Sequence, residues 1–428
     1  SRERISRVKK DRYITQKMMD YVLDHAGMTI DDIDYVGITY WFENRTAWKN
    51  EFEDLKLYVK EDYMWMFNKT FDFTDDGTPA PYVEGKGYQV LSDLVLLTPP
   101  ITNRPHECVP INLDIYGRTI PGWFINHHHA HAASTYYTTN LDKAAIFTMD
   151  STEADPYACS LFSYGYGNKL ETLYYPGVNI AHAYSVFTET LGLGPGLFKA
   201  GTTMGLAPYG EPRYADLIRE ELITVAEDGS FQLNMSYFDY ATGLKMTNKK
   251  FNALFGGPPR TSEKELTQKE MDLAASVQKV IEDILLKLAR GIIKETGERN
   301  LCLAGGVALN CVANGILLRE NIFENIWIQP AAGDAGGALG AALSTWYLHH
   351  NKERNTSKER DAMKGAFLGP VFTETEIETE LTECGATFKK LSEDELIDIV
   401  STALADEKAV GWMQGRMEFG PRALGGRS

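Results

Sequence analysis

The strongest constraint on the fold is an alternation of apolar strand, glycine turn and helix over residues 300–350. The apolar runs NLCLAG (300–305) and NIWIQP (325–330) each lead through a glycine-containing turn into a helical pattern. Such alternation is typical of an α/β unit, in which ligands bind at the carboxyl ends of the strands. The pattern therefore predicts an α/β fold with a binding site at the glycine turns.

The preceding residues predict further elements of the same kind. Helical spacing of apolar residues indicates a helix over 13–26, and a strand follows over 34–41. Buried strands are expected over 144–150 and 158–166. Residues 178–295 are expected to be mainly helical, with a glycine-rich interruption before a long amphipathic helix.

The C-terminal part and one internal segment differ from this pattern. A polar linker is predicted over 351–365, followed by helices over 374–383 and 393–406 and a strand over 409–414. Residues 41–92 are dense in Trp, Tyr and Phe without clean periodicity. They are interpreted as an insertion whose rings fill a local core or line an acceptor pocket.

Length and charge limit the possible classes of protein. A chain of 428 residues exceeds the usual size of one domain, so two lobes are expected. The net charge of −16 argues against a broad phosphate-backbone footprint on a nucleic acid. A nucleic-acid substrate is therefore not favoured, although an acidic solvated surface is common in any soluble protein.

Cysteine usage and hydropathy indicate the compartment. The five cysteines are widely spaced and form no CxxC pair, which disfavours a disulfide framework and a thiolate zinc site. No apolar run reaches the roughly 18 residues that span a bilayer. A cytoplasmic protein without a membrane partner is expected.

A histidine pair provides the first candidate for chemistry. If HHHAHAAS begins a helix, His127 and His131 lie at i and i+4 on one face, which lets two imidazoles converge on one metal ion. His128 and His129 would point elsewhere. The alternative is that these histidines have structural roles only.

Two carboxylates lie where they could complete a metal site. Asp150 ends an apolar strand, and Asp334 lies in a glycine turn at the start of a helix. Alternatively, Asp150 is a turn residue and Asp334 a helix N-cap. Two imidazoles with two carboxylates suit Fe, Mn, Mg or Zn and leave positions open for substrate oxygens.

The turn Gly305-Gly306-Val307 is a candidate nucleotide contact. Glycines allow the backbone to approach a ligand closely, and the helix N-terminus that follows favours negative charge. A pair of glycines is weak evidence alone. The chain contains no GxxxxGK[ST] and no GxGxxG after a strand, so an ATP site would need a fold other than the P-loop or Rossmann type.

Basic residues near both ends are candidates for binding oxyanions. Arg416, Arg422 and Arg427 lie among glycines in GRMEFGPRALGGRS, a composition suited to clamping phosphate or carbamoyl oxygens. Lys9 lies in SRVKKD. A solvated arginine turn and plain surface charge are the alternatives.

Several ordered segments together resemble one protein family. The chain is similar to the NodU/CmcH family of O-carbamoyltransferases over essentially its whole length, and the histidine element is shared with tRNA threonylcarbamoyl transferases. The segments are ISRVKKD, NHHHAHAAS, TTMGLAPYG, LAGGVALNCVANG, AAGDAGGALGAA and GRMEFGPRALGGRS.

The resemblance implies an α/β fold of the actin/sugar-kinase/chaperone ATPase type, with two related lobes around a central cleft. It implies a Kae-like carbamoyl-transfer domain over 1–350 that carries the insertion near 41–92. It further implies that 351–428 comprises a linker and the start of a YrdC-like region, which the given sequence cuts short.

The resemblance also assigns roles to residues. It implies a divalent metal, with Fe²⁺ favoured, and it places Gly305, Gly306, Val307 and Asn310 beside the adenosine part of ATP or carbamoyl-adenylate. Lys9 and Arg422 would face phosphate or carbamoyl oxygens, with Arg422 counted among the catalytic residues. The implied metal ligands are His127, His131, Asp150 and Asp334. The first three are also counted among the catalytic residues.

The implied reaction needs carbamoyl phosphate, ATP and a small-molecule acceptor with a free hydroxyl. A YrdC-like domain would make carbamoyl-adenylate, and this chain would transfer the carbamoyl group. The general base is open among His128, His129 and Glu153. Alternatives are a tRNA threonylcarbamoyl transferase, an ATP-binding regulator of the same fold, and a sugar kinase.

Two departures from the family pattern concern the substrate side. The segment DSTEADPY stands where the family has a DG-type turn after the metal aspartate, and AGTT replaces EGK before MGLAPYG. The second change removes a positive charge, for which Lys199 is a nearby substitute.

Overall fold

The structure is a computed structural model, and statements about structure refer to the residues that it describes. These are residues 16–39, 56–59, 72–73, 79–80, 82–83, 87–88, 108–150, 160–174, 180–194, 196–227, 229–239, 245–356, 361–423 and 426.

The described chain contains both helices and strands. The strands are β1 Val36–Ile38, β2 Lys56–Val59, β3 Asp72–Phe73, β4 Pro79–Ala80, β5 Tyr82–Val83, β6 Gly87–Tyr88, β7 Cys108–Ile115, β8 Arg118–Ile125, β9 Lys143–Met149, β10 Ser160–Tyr166, β11 Lys169–Tyr174, β12 Ile223–Val225, β13 Phe231–Leu233, β14 Asn300–Ala304 and β15 Asn325–Ile328. The α-helices are α1 Gln16–Ala26, α2 His127–Tyr136, α3 Ile180–Thr190, α4 Gly196–Leu206, α5 Ala215–Glu221, α6 Lys249–Leu254, α7 Gln268–Thr296, α8 Cys311–Arg319, α9 Gly337–Ser344, α10 Glu374–Glu383 and α11 Glu393–Ala405.

A five-stranded mixed sheet organises the centre of the molecule. Its strand order is β11-β10-β9-β14-β15, in which β9, β14 and β15 run parallel and β10 is antiparallel to both neighbours. The carboxyl ends of the three parallel strands therefore lie at one edge. This arrangement confirms the predicted mixed α/β class and brings the loops after β9, β14 and β15 together.

A second sheet adjoins the first through two helices. It has the order β1-β8-β7-β2, with β1 parallel to β8 and the other pairs antiparallel. Helix α2 follows β8 directly and packs on β9 and β14, and α9 packs on both α2 and β1. A Cβ atom at Gly340 of α9 would lie 1.8 Å from the carbonyl oxygen of Ala130, so only glycine permits this separation of the helices.

The long helix α7 forms the centre of a helical layer against the five-stranded sheet. A capping box begins it, because Thr267 N–H and its hydroxyl both donate to the Glu270 carboxylate. Gly297 ends it with φ of +66° in the left-handed region. Its apolar face packs with α3, α4, α5 and α8 in the largest hydrophobic cluster of the described residues.

Most predicted elements are present, with three corrections. Residues 191–210 contain helix α4 where a glycine-rich interruption was predicted, and the predicted helical region 178–295 includes the hairpin β12–β13. The strand predicted over 409–414 is wrong, since only Met413 forms a β-bridge there. Backbone hydrogen bonds from this segment go instead to neighbouring loops, such as Gln414 N–H to the Gly426 carbonyl at 2.8 Å.

Some predictions concern residues outside the described ranges. Most of 41–92, including Trp41 and Trp48, lies outside the described residues, and so does Lys9. Among the helices that are described, none combines the length and the apolar character needed to cross a membrane.

Candidate metal centre

The first two site residues are placed by the junction between β8 and α2. Asn126 caps the helix, and its side-chain oxygen accepts hydrogen bonds from the backbone N–H groups of His128 and His129 at 3.0 and 3.5 Å. His127 is thereby fixed as the first helical residue and His131 lies one turn later. Their Nε2 atoms are 3.1 Å apart, and both side chains are almost completely buried.

The two carboxylates approach this pair from the sheet edge. Asp150 follows the last residue of β9, and its Oδ2 lies 3.0 Å from His131 Nε2 and 3.7 Å from His127 Nε2. Asp334 begins a 3₁₀ turn after β15, with Oδ1 at 3.7 Å from His127 Nε2 and 3.9 Å from His131 Nε2. The predicted convergence of all four side chains is observed.

The donor atoms fit a single ion. One ligand atom from each of the four side chains lies within 4.8 Å of every other. Ligand atoms held about 2.1 Å from one ion are separated by roughly 3 to 4.3 Å. The distance between the two imidazole nitrogens and the four distances from them to the carboxylate oxygens all fall in that interval. Two imidazoles and two carboxylates form a hard-to-borderline set that suits a first-row divalent metal.

The double-glycine turn after β14 holds Asp150 in place. Gly306 N–H donates to Asp150 Oδ2 at 3.0 Å. Gly305 has φ of +89°, and a Cβ atom there would lie 2.1 Å from the carbonyl oxygen of Met149. The turn therefore positions the Asp150 carboxylate through a backbone hydrogen bond. The sequence did not predict this contact.

Electrostatics keep Asp150 ionised. Burial alone would raise the pKa of its carboxyl group. Hydrogen bonds from His127 and His131, together with their charges, outweigh burial and hold the Asp150 pKa well below its usual value. Asp334 differs, because 57% of its side chain is exposed and can face solvent or a ligand.

The other two histidines of HHHAH face away from this centre. His128 is fully buried and its Nδ1 lies 3.0 Å from the Thr148 hydroxyl on β9. His129 is buried near His349, whose pKa is lowered to about 4 by burial and then by the charges of His129 and His350. The prediction that His128 and His129 point away from the metal ligands is confirmed. Because both side chains are buried, neither is suited to act as the general base.

One histidine near the centre, His182, was not predicted from the sequence. Burial lowers the pKa of His182, in the first turn of α3, to about 4, and the negative charge of Asp150 opposes this decrease. His182 is therefore neutral near pH 7 and within electrostatic reach of Asp150. Nothing in its spacing distinguished it from a structural helix residue. Glu153, the third candidate base, lies outside the described residues.

The predicted nucleotide residues lie beside the same sheet edge. Val307 belongs to the 3₁₀ turn Gly306–Leu309 and packs partly against the core. Asn310 caps α8 by accepting from Ala313 N–H at 3.1 Å, and its amide donates to Gln278 at 3.0 Å. This link to α7 was not predicted, because it joins residues far apart in sequence.

Comparisons with known protein families give a consistent match. A family model described as the carbamoyltransferase N-terminus matches residues 1–343, and a model of the carbamoyltransferase C-terminus matches residues 401–428. The first model therefore covers the residues of the candidate metal centre.

Individual relatives extend beyond this chain. The uncharacterized protein sll1178 of Synechocystis is 42% identical over 441 residues, which cover all of this chain and 66% of that protein. Nodulation protein NolNO of Sinorhizobium fredii is 29% identical and is covered over 55% of its length, again with all of this chain aligned. The chain thus spans less than two thirds of these relatives.

A third relative and a solved structure complete the comparison. Nodulation protein NolO of Bradyrhizobium diazoefficiens is 32% identical over 71% of this chain and 52% of its own length. A crystal structure of full-length HypF in its phosphate- and nucleotide-bound form overlaps with a TM-score of 0.28 and 17% identity, covering 52% of this chain and 36% of HypF. A similarity at that TM-score does not support a fold assignment, so the fold is described from the strand order of this protein.

Proposed function

Because this chain belongs to the carbamoyltransferase family, we propose that it transfers a carbamoyl group from carbamoyl-adenylate to a hydroxyl group of a small-molecule natural product. The observation that carries this proposal is the convergence of His127, His131, Asp150 and Asp334 within the region that the family model matches. A purely structural cluster would have no need for two imidazoles and two carboxylates with their donor atoms facing one another.

The four side chains are proposed to hold one divalent metal ion, with Fe²⁺ favoured and Mn²⁺, Mg²⁺ or Zn²⁺ as alternatives. When bound, the ion would supply Lewis-acid stabilisation of charge on carbamoyl or phosphate oxygens. Asp150 suits this role because it stays ionised, and the partly exposed Asp334 marks the open side of the site.

The nucleotide is proposed to bind along the turn after β14. Gly305, Gly306 and Val307 lie at the carboxyl end of that strand, and Asn310 follows at the start of α8. Since Gly306 N–H contacts Asp150, a nucleotide on this turn would lie next to the metal ligands. Lys9 and Arg422 remain proposed contacts of phosphate or carbamoyl oxygens.

The reaction is an acyl transfer from a mixed anhydride. The acceptor oxygen attacks the carbamoyl carbon, the bond from that carbon to the adenylate oxygen breaks, and AMP leaves with the phosphate oxygen. The acceptor hydroxyl gives its proton to a base. Binding both partners beside one another would lower the entropic cost of this step.

Further features of the whole protein are part of the proposal. Carbamoyl-adenylate would be made from carbamoyl phosphate and ATP by a YrdC-like domain beyond residue 428. The two sheets would form the lobes of an actin/sugar-kinase type fold around the cleft. A cytoplasmic location fits the free thiols of the described residues Cys302, Cys311 and Cys384.

The test is product analysis with this chain and separately generated, radiolabelled carbamoyl-adenylate. The acceptor panel would contain an aminoglycoside, a lipo-oligosaccharide, a macrolide and bulk tRNA. We expect AMP release with label on one small-molecule acceptor, and loss of both in His131→Ala. Label on tRNA when threonylcarbamoyl-adenylate replaces carbamoyl-adenylate as the donor would support the threonylcarbamoyl transferase alternative. Absence of transfer, or ADP formation when ATP is supplied, would refute the proposal.

A further inference from the structure

The guanidinium group of Arg422 occupies the space where Gly201 would carry a side chain. A Cβ atom at Gly201 would lie 2.2 Å from Arg422 Nη2, 3.2 Å from Cζ and 3.4 Å from Nη1. All three atoms of the guanidinium end are thus within contact distance of one point on α4. No residue other than glycine leaves this space open at position 201.

The loop that carries Arg422 is fixed by backbone hydrogen bonds and by close packing of its residues that precede Arg422. Met417 exchanges backbone hydrogen bonds with the segment 369–370, and Phe419 N–H donates to the Ala366 carbonyl at 2.7 Å. Gly420 has φ of +145°, and a Cβ atom there would lie 2.7 Å from the carbonyl oxygen of Pro330. The loop therefore passes close to the chain that follows β15 before Arg422 reaches α4.

Helix α4 itself borders the proposed nucleotide turn. Met204 Sδ lies 4.0 Å from the sulfur of Cys311, the first residue of α8, which follows the turn Gly306–Leu309. Three residues, less than one helical turn, separate Gly201 from Met204. The guanidinium thus lies against the helix beside the turn, and Arg422 is exposed and can offer N–H groups to a ligand.

We infer that Gly201 is a positioning residue, whose missing side chain seats the Arg422 guanidinium where it can contact the phosphate of the bound nucleotide. This inference rests on the proposed function for the identity of the ligand. It adds a specific requirement that the family match does not contain, namely that Gly201 acts through Arg422.

The test uses a matched pair of substitutions on one helix. Gly201→Ala is expected to push the guanidinium aside without unfolding the protein, because the overlap falls on the end of a flexible side chain. Gly205→Ala is the control, since a Cβ atom there meets nothing within 4 Å. The affinity for AMP would be measured by calorimetry with Gly201→Ala, Arg422→Ala and the double variant.

Loss of a charge-assisted hydrogen bond weakens binding by about 10- to 100-fold. We expect Arg422→Ala to show such a loss, Gly201→Ala a loss no larger than that, and the double variant no further loss. Gly205→Ala should bind AMP as the parent does. A full additional loss from Gly201→Ala in the Arg422→Ala background would overturn the inference.

A second readout separates this inference from the proposed function. The rate at which phenylglyoxal labels Arg422, followed by mass spectrometry, reports the contact without any nucleotide. It should rise several-fold in Gly201→Ala and stay unchanged in Gly205→Ala. If the parent does not bind AMP, the proposed nucleotide site fails, whereas an unchanged labelling rate in Gly201→Ala refutes the positioning role by itself.

Discussion

His128 and His131 are close in sequence on one helix, but their imidazole rings contact different groups. His131 places Nε2 between His127 and Asp150, whereas His128 directs Nδ1 to the hydroxyl of Thr148 in the interior of the sheet. Both are fully buried. Substitution at either position thus costs stability, but only one should affect a metal.

This contrast gives a prediction for metal content. His131→Gln should reduce metal affinity by at least about 100-fold, since a ligand is lost from the set. His128→Gln should leave one equivalent of metal bound and lower the free energy of unfolding by about 1 to 3 kcal/mol, because it removes a buried hydrogen bond. Elemental analysis after dialysis and denaturant titration would measure both. Tight stoichiometric metal in His131→Gln would contradict the assignment.

Acidity should also act at this centre. An imidazole must be neutral to bind a cation, so protons compete with metal for the nitrogens of His127 and His131. The pKa of Asp150 is held well below its usual value, so this carboxylate stays ionised and does not cause the loss. Competition titrations should show metal affinity decreasing as the solution is made more acidic. Affinity that is constant from pH 7.5 to 5.5 would argue against imidazole ligands.

At the scale of elements, the metal centre depends on how closely α9 packs against α2. Asp334 precedes α9, and the two histidine ligands lie on α2. A Cβ atom at Gly340 would lie 1.8 Å from the Ala130 carbonyl oxygen and 3.0 Å from Ser134 N. Both atoms belong to backbone that cannot move without the helix.

Gly340→Ala should therefore destabilise the protein by about 1 to 3 kcal/mol through overpacking. Because separation of the helices also moves Asp334 away from the imidazoles, metal affinity should fall together with stability. Gly205→Ala, on a helix face with open space, should change the free energy of unfolding by no more than about 1 kcal/mol and in the stabilising direction. Chemical denaturation with and without metal would compare them, and equal behaviour of the two variants would refute the packing argument.

Local signals explain which elements the sequence predicted well. Helices α10 and α11 begin with capping boxes, Thr373 with Glu376 and Ser392 with Glu395, and their predicted bounds agree with the structure to within one residue. The spacing of His127 and His131 is likewise a local property of one helix. Such features need no knowledge of the tertiary structure.

Features that depend on distant partners were missed or mistaken. The apolar run at 409–414 lacks a neighbouring strand to pair with among the described residues, so it does not form one. The interaction of Gly306 with Asp150 joins positions 156 residues apart. The contact of Gly201 with Arg422 joins positions that are even further apart in sequence. Periodicity reports which face of an element is buried, but not which residue lies opposite.

At the scale of the whole molecule, the predicted linker is held firmly where it leaves α9. Arg354 donates to the backbone carbonyls of Tyr136, Thr139 and Leu141 at 2.8 to 2.9 Å, at the end of α2. Its guanidinium also lies 4.3 Å from the ring centroid of Tyr136. The chain leading to the C-terminal helices is therefore attached to the same helix that carries the metal ligands.

Arg354→Ala should lower the free energy of unfolding by about 2 to 4 kcal/mol, because it leaves carbonyl groups at the end of α2 without their donors. Arg354→Lys should recover little of this, since one ammonium group cannot reach three carbonyls in the geometry of the guanidinium. Lys352→Ala is the matched control in the same segment, because the described contact of the Lys352 side chain is with the exposed Trp346 ring, and its loss should cost less than about 0.5 kcal/mol. Guanidinium chloride unfolding would measure all three. Equal effects of the changes at 352 and 354 would show that the segment is not held through Arg354.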